Sequence, residues 1–228
     1  MKGAEVEAVF AAIRRIGLVP RGALLLEESE RAGQLADIRT IVLAGMVGRE
    51  GWSAFAASPE ASDGLGDPLD RWSRRVIETI AHELDGKALL PFGGPPFLPF
   101  QQWARRAEPV HPSPIGILIH PRYGLWHSYR GALGFREKLA IPERAVVASP
   151  CESCLGRWCL KTCPVGAFSD AGYDVAPCAD HLRSAAGADC MGFGCRARRA
   201  CPGGAEHGYG PEQANFFMRA FLRGQDGG

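Results

Sequence analysis

Apolar positions recur along this chain with helical and strand periods in turn. Residues 5–16 (EVEAVFAAIRRI) place Val6, Val9, Phe10 and Ile13 at helical intervals, and Gly17 ends the run. The segment 18–26 reads as an extended lead-in. IRTIVLAGMVG (38–48) carries a β-branched apolar centre and predicts a buried strand. Residues 51–55 can start a short helix. The clearest helix is predicted over 67–86, with Asp67 as cap and Pro68 in the first position. Trp72, Val76, Ile77, Ile80 and Leu84 form its apolar face, and Gly86 is its stop. A strand over 87–92, a loop over 93–99 and a short helix over 100–108 follow. IGILIHP (115–121) and HSYRGALGF (127–135) read as two strands joined through 122–126. A Pro-bounded connector spans 140–150. Beyond it the pattern gives way to short turns rich in Gly and Cys. Helical spacing returns over 211–224 through Phe216, Phe217, Ala220 and Phe221, and this helix is expected to pack back on the body.

Cysteine usage changes the picture most. All eight cysteines of the 228 residues lie between Cys151 and Cys201. A disulfide scaffold would be shorter and would spread its cysteines. The 150 residues ahead of them are long enough to bury a core without staples. The expectation is an α+β chain in three parts: an α/β body over 1–148, a compact metal-binding module over 149–210, and a C-terminal helix over 211–228. Hydrophobic residues at 46% and charged residues at 22% describe a globular chain. A net charge of +1 gives no global field to hold a nucleic acid or an anionic membrane, so nucleic acid is disfavoured as a partner. The first seven residues lack the basic-then-apolar profile of a leader, and no apolar run approaches a membrane span. The cytoplasm is the expected location, where clustered thiols usually mean metal.

The order of the cysteines points to iron and sulfur. The first arm reads Cys151-x2-Cys154-x4-Cys159-x3-Cys163-Pro164. It follows the bacterial ferredoxin run C-x2-C-x2-C-x3-C-P with two residues inserted before the third cysteine, and in that run the fourth cysteine serves the other cluster. The second arm, Cys178-x11-Cys190-x4-Cys195-x5-Cys201-Pro202, is looser but ends in the same Cys-Pro. Two [4Fe–4S] clusters suit this arrangement. One would take Cys151, Cys154, Cys159 and Cys201, and the other Cys163, Cys178, Cys190 and Cys195, although the irregular second arm leaves these assignments exchangeable. Two zinc sites are the alternative, yet only Cys151 and Cys154 form the C-x2-C pair that a zinc ribbon repeats. One cluster with spare thiols is a third option.

The segment 115–135, IGILIHPRYGLWHSYRGALGF, leads from an apolar strand into His-Pro-Arg-aromatic-Gly-x-Trp and then Arg-Gly. It resembles the core of the cobalamin-processing CblC family, and the cysteine module is similar to that of epoxyqueuosine reductases and reductive dehalogenases. The resemblance implies a nitroreductase-type body carrying base-off cobalamin beside a ferredoxin-like module. It also implies His120, Tyr123, Trp126, Tyr129 and Arg130 as cofactor-binding residues converging with His127 on one mouth, and electrons passed singly from the clusters to the corrinoid. The catalytic-acid context of epoxyqueuosine reductases is not recognisable here.

Three functions therefore stand open. The first is an oxidoreductase that passes electrons to a corrinoid in cobalamin handling. The second is a ferredoxin-type carrier whose body binds a partner and no corrinoid, and the third is a corrinoid-dependent reductase of the epoxyqueuosine type. All need a redox partner protein as donor. The cluster Arg196, Arg198 and Arg199 is either a solvated face or a docking patch for an acidic redox partner. A homodimer stays open, and the residues name no catalytic side chain. His120 and His127 also read as strand-end histidines, and Tyr123 and Trp126 as core.

Overall fold

The computed structural model describes residues 5–169 and 171–226. The first four residues, within the stretch read above for a leader, lie outside them, as do the last two of the segment 211–228. The chain forms two compact units. One comprises Met1–Pro109 with His127–Val146, and the other Val110–Trp126 with Val147–Gly228.

The first unit contains α1 (Val6–Arg15), β1 (Val19–Leu25), β2 (Thr40–Val47), α2 (Trp52–Ala56), α3 (Pro68–Glu83), β3 (Lys87–Leu89) and α4 (Phe100–Ala107). The chain then enters the second unit through β4 (His111–Pro112) and β5 (Leu118–Ile119) and returns with β6 (His127–Phe135). β1, β2, β6 and β3 form one sheet in that order, antiparallel throughout. A sheet without parallel crossovers, flanked by helices, is α+β. All eight residues of β2 are buried, so both sheet faces are covered and the run lacks alternation. Trp72, Val76, Ile77 and Ile80 of α3 are buried as their spacing requires, and Trp72 meets Phe55 of α2 edge-on at 5.9 Å. The ends of α3 depart from expectation. Asp67 holds the cap position in a left-handed conformation without a side-chain cap bond, and Asp85 rather than Gly86 takes the left-handed turn at the exit.

A polar group lies inside this apolar unit. Arg21 of β1 is 0% exposed, at a register shift of the β1–β2 pair. α4 packs on β1 and delivers Glu108, whose carboxylate accepts from Arg21 Nε at 3.1 Å and Nη2 at 2.6 Å. The Tyr129 hydroxyl donates to the same carboxylate, and the guanidinium lies 4.9 Å from the Tyr129 ring centre. His127 Nδ1 is 3.2 Å from Arg21 Nη2. Burial pushes the Glu108 carboxyl up, against the pull of Arg21.

The second unit continues with α5 (Trp158–Lys161), the hairpin β7 (Phe168–Ser169) and β8 (Gly172–Tyr173), α6 (Val175–Arg183), α7 (Ala188–Phe193), α8 (Arg196–Arg199) and α9 (Pro211–Asp226). Two expectations change here. Residues 115–121 do not form a body strand. Leu118 and Ile119 pair with Pro112 and His111 and His120 bridges to Gly124, because Gly116 turns the chain at φ +80° and Ser113 and Ile117 close that turn by hydrogen bonding. Ile115, Ile119 and Leu125 instead form a buried cluster with Ala197 of α8. The terminal helix also settles in this unit rather than on the body. It packs on α7, where Asn215 Nδ2 donates to the Met191 carbonyl at 2.9 Å. No described helix is long and apolar enough to cross a membrane.

Removing one partner of a buried ion pair leaves the other charge uncompensated. Arg21→Met should therefore destabilise the first unit by about 3–5 kcal/mol in urea unfolding, and Arg21→Met with Glu108→Leu should recover most of that loss.

Candidate metal centre

The second unit brings the eight cysteines together in two sets of four. Cys151 and Cys154 lie in one tight turn, with the Cys154 N–H 3.4 Å from the Cys151 carbonyl. Cys159 lies in α5, and Cys201 follows α8 directly, its N–H donating to the Arg198 carbonyl. These four line one cavity of about 710 Å3, together with Ile119, Pro150, Trp158, Tyr173, Gly203 and others. The remaining four, Cys163, Cys178, Cys190 and Cys195, line a tighter, apolar pocket with Phe168, Leu182, Ala197 and Met218. Cys178 rides on α6, which Asp174 caps by accepting from the Ala176 N–H. Cys190 rides on α7, and Cys195 caps α8. Each arm thus sends its last cysteine, just before Pro164 or Pro202, to the other set.

Burial pushes the Cys151, Cys159 and Cys201 thiols up, and so too Cys178 and Cys195; neighbouring thiols of each set add to this. Without a cation these five thiols favour their protonated form, and a metal must displace those protons on binding. Among the described residues no three His, Cys, Asp or Glu close on a single ion. Tetrahedral zinc needs sulfurs at about 2.3 Å from one centre. Four thiols spread around a cavity suit a polynuclear group with one thiolate per metal corner. The Ser113 hydroxyl supports this fit. It lines the larger cavity, buried and without a partner among the described residues, as a donor toward sulfur would be.

Of the residues read as a cofactor mouth, some now have structural partners. His120 stacks on Tyr123 with ring centres 4.4 Å apart, and its Nδ1 accepts from the Arg122 and Tyr123 N–H groups. Tyr123 also meets His207 edge-on. Trp126 lies under the Arg198 guanidinium at 4.7 Å and against Tyr209, with its indole N–H buried and unpartnered among the described residues. These three belong to the cysteine unit. Tyr129 and Arg130 belong to the other unit, Tyr129 on Glu108 and Arg130 on Ser73 and Asp70.

The Tyr-Gly end of the His-Pro-Arg-Tyr-Gly element packs backbone to backbone on the Gly203–Gly204 turn that follows Cys201. Gly124 is left-handed at φ 56°, and a Cβ there would fall inside the Gly203 carbonyl; a Cβ on Gly204 would strike the Tyr123–Gly124 backbone. Arg198 clamps the same segment from α8, donating to the Leu125 carbonyl at 2.6 Å and to the Tyr209 hydroxyl at 2.9 Å. Arg196 and Arg199 pair with Asp189. One carboxylate is thus shared by two of the three guanidiniums of the cluster. Sequence reasoning missed Arg21, Glu108, Ser113, Phe168 and Tyr173. Arg21 had one available signal, as the lone charge in an apolar run.

The chain matches no protein-family model and no curated protein. Two solved structures are similar in fold. An epoxyqueuosine reductase bound to a tRNA-Tyr epoxyqueuosine-modified stem loop aligns with a TM-score of 0.53 at 16% identity, over 92% of this chain and 68% of that one. A selenomethionine-labelled epoxyqueuosine reductase gives 0.49 at 17% identity over the same shares. At such identities the likeness is one of fold.

Gly124→Ala should push away the Gly203–Gly204 turn, and with it the Cys201 two residues earlier, and disturb the larger set alone. Metal analysis after anaerobic reconstitution should then show about half the content of the unmodified chain, with far-ultraviolet circular dichroism unchanged.

Proposed function

We propose that the chain is an iron–sulfur reductase holding two [4Fe–4S] clusters, one in each cysteine-lined cavity. The observation that carries this reading is the interleaving of the two arms, four cysteines to a cavity with the Cys-Pro cysteines exchanged. When bound, such clusters take up and release single electrons. The chain's own residues do the rest. Ile115, Ile119, Leu125 and Ala197 back the cysteines with apolar surface. The Arg198 clamp holds α8 between Cys195 and Cys201, so one helix orients a thiolate of each set. The Ser113 hydroxyl offers a hydrogen bond inside the larger cavity. Solvent exposure and hydrogen bonds to sulfur are the levers that set cluster potentials.

The fold likeness to an epoxyqueuosine reductase supports a reductase over a bare carrier. The finer reading takes the acceptor to be a corrinoid, with Tyr129 and Arg130 of the first unit as its candidate contacts and a partner protein as electron donor. A corrinoid-dependent reductase of the epoxyqueuosine type is the second reading, favoured by the same fold likeness. The net charge of +1 gives no global field to draw RNA as the substrate.

Anaerobically purified chain should contain about eight iron and about eight sulfide per chain and little zinc. Cys201→Ala and Cys178→Ala should each leave about half of that iron. Stoichiometric zinc without sulfide would sink the cluster reading. Cobalamin added to the loaded chain should shift its corrin absorption bands. If the bands stay unmoved, the corrinoid reading falls and a carrier function replaces it.

A further inference from the structure

Four residues, Leu155, Gly156, Arg157 and Trp158, separate Cys154 from Cys159, where the ferredoxin run has two. Holding a cluster does not require the two extra residues. The apolar side chains of this loop are not packed in a core: Leu155 is 98% exposed and Trp158 is 55% exposed. The loop is nevertheless held in place. A Cβ on Gly156 would fall 2.3 Å from Trp158 Nε1, so the indole lies against the backbone of its own loop. The Thr162 hydroxyl donates to the Trp158 carbonyl at 3.0 Å, and α5 packs on α8. Lys161 Nζ lies 5.4 Å from the centre of the Trp158 ring. Arg157 and Lys161 are the only charges between Cys154 and Cys163. Both are exposed, and neither makes an ion pair among the described residues. The nearest acid in sequence, Glu152, precedes Cys154. Arg157 and Trp158 also line the cavity of Cys151, Cys154, Cys159 and Cys201. One element thus walls the larger cavity and presents an exposed apolar pair beside two cations.

We propose that Leu155, Arg157, Trp158 and Lys161 form the docking surface for the electron donor, an acidic one-electron carrier protein, and that electrons enter the chain at the cluster of Cys151, Cys154, Cys159 and Cys201. The inference rests on the iron–sulfur reading above. An exposed Trp beside a Leu offers an anchor that a partner can desolvate. The two cations beside it attract an anionic face and repel a basic one. A patch this small suits the weak, short-lived encounters of redox proteins. The step balances simply. One electron leaves the reduced carrier and one arrives on the oxidised cluster, and no bond forms or breaks.

The probe is a plant-type [2Fe–2S] ferredoxin with an acidic surface, mixed anaerobically with the full, loaded chain in the direction that the measured potentials favour. Rapid-freeze electron paramagnetic resonance, which separates the two cluster types, reads the bimolecular rate. That rate should fall as salt is raised. Leu155→Glu and Lys161→Glu should each slow it by about tenfold, and Lys161→Arg should keep it. Both side chains are exposed and line neither cysteine cavity, so iron content should stay unchanged. Reduction by dithionite, which needs no docking surface, should change far less. If the ferredoxin rate is unmoved in both Glu variants, if dithionite slows by the same factor, or if no transfer to the unmodified chain occurs, the inference is overturned. Zinc in the unmodified chain would remove the iron–sulfur reading itself, and the docking surface with it. Two clusters with unmoved rates would remove only the docking surface.

Discussion

Five of the eight cysteines, Cys151, Cys159, Cys163, Cys195 and Cys201, pack against the same four buried residues, Ile115, Ile119, Leu125 and Ala197. The arrangement of the second unit depends on this small apolar cluster. Its short helices cannot hold a fold by propensity, since helices of four to nine residues are too short to be stable alone. They need a surface to lie on, and segment 110–126 supplies it. The cost is that the chain must leave the first unit after Pro109 and return at His127.

That excursion explains the residues at its far end. Gly124 and Gly204 meet backbone to backbone, an approach that no side chain allows. Arg198 then ties α8 to the Leu125 carbonyl and covers Trp126 and Tyr209. A planar guanidinium suits this work because it donates in a fixed fork and stacks on aromatic faces at once. Some of the aromatic and basic residues read in sequence as a binding mouth and a docking patch, Trp126 and Arg198 among them, make contacts within the cysteine unit.

The first unit meets a different constraint. Its sheet is covered on both faces, yet β1 brings Arg21 into the interior. The cation is tolerated because Glu108, Tyr129 and His127 surround it. Such a group is expensive to assemble and intolerant of partial removal, which gives the first unit a polar feature as specific as its apolar packing.

Periodicity alone carried much of the local structure. The helices α1, α3 and α4 follow from a 3.6-residue spacing and β2 from a β-branched apolar run, because both are properties of adjacent residues. The cysteine spacing, by the ferredoxin rule that a fourth cysteine serves the other cluster, suggested the same two groups of four that line the two cavities. Of residues 115–121 only the short strand β5 forms, outside the four-stranded sheet, since a short apolar run looks the same wherever it is buried. Which unit owns Ile119, Trp126 and the terminal helix depended on contacts between residues distant in sequence. Such contacts leave no local period, and only tertiary packing could decide them.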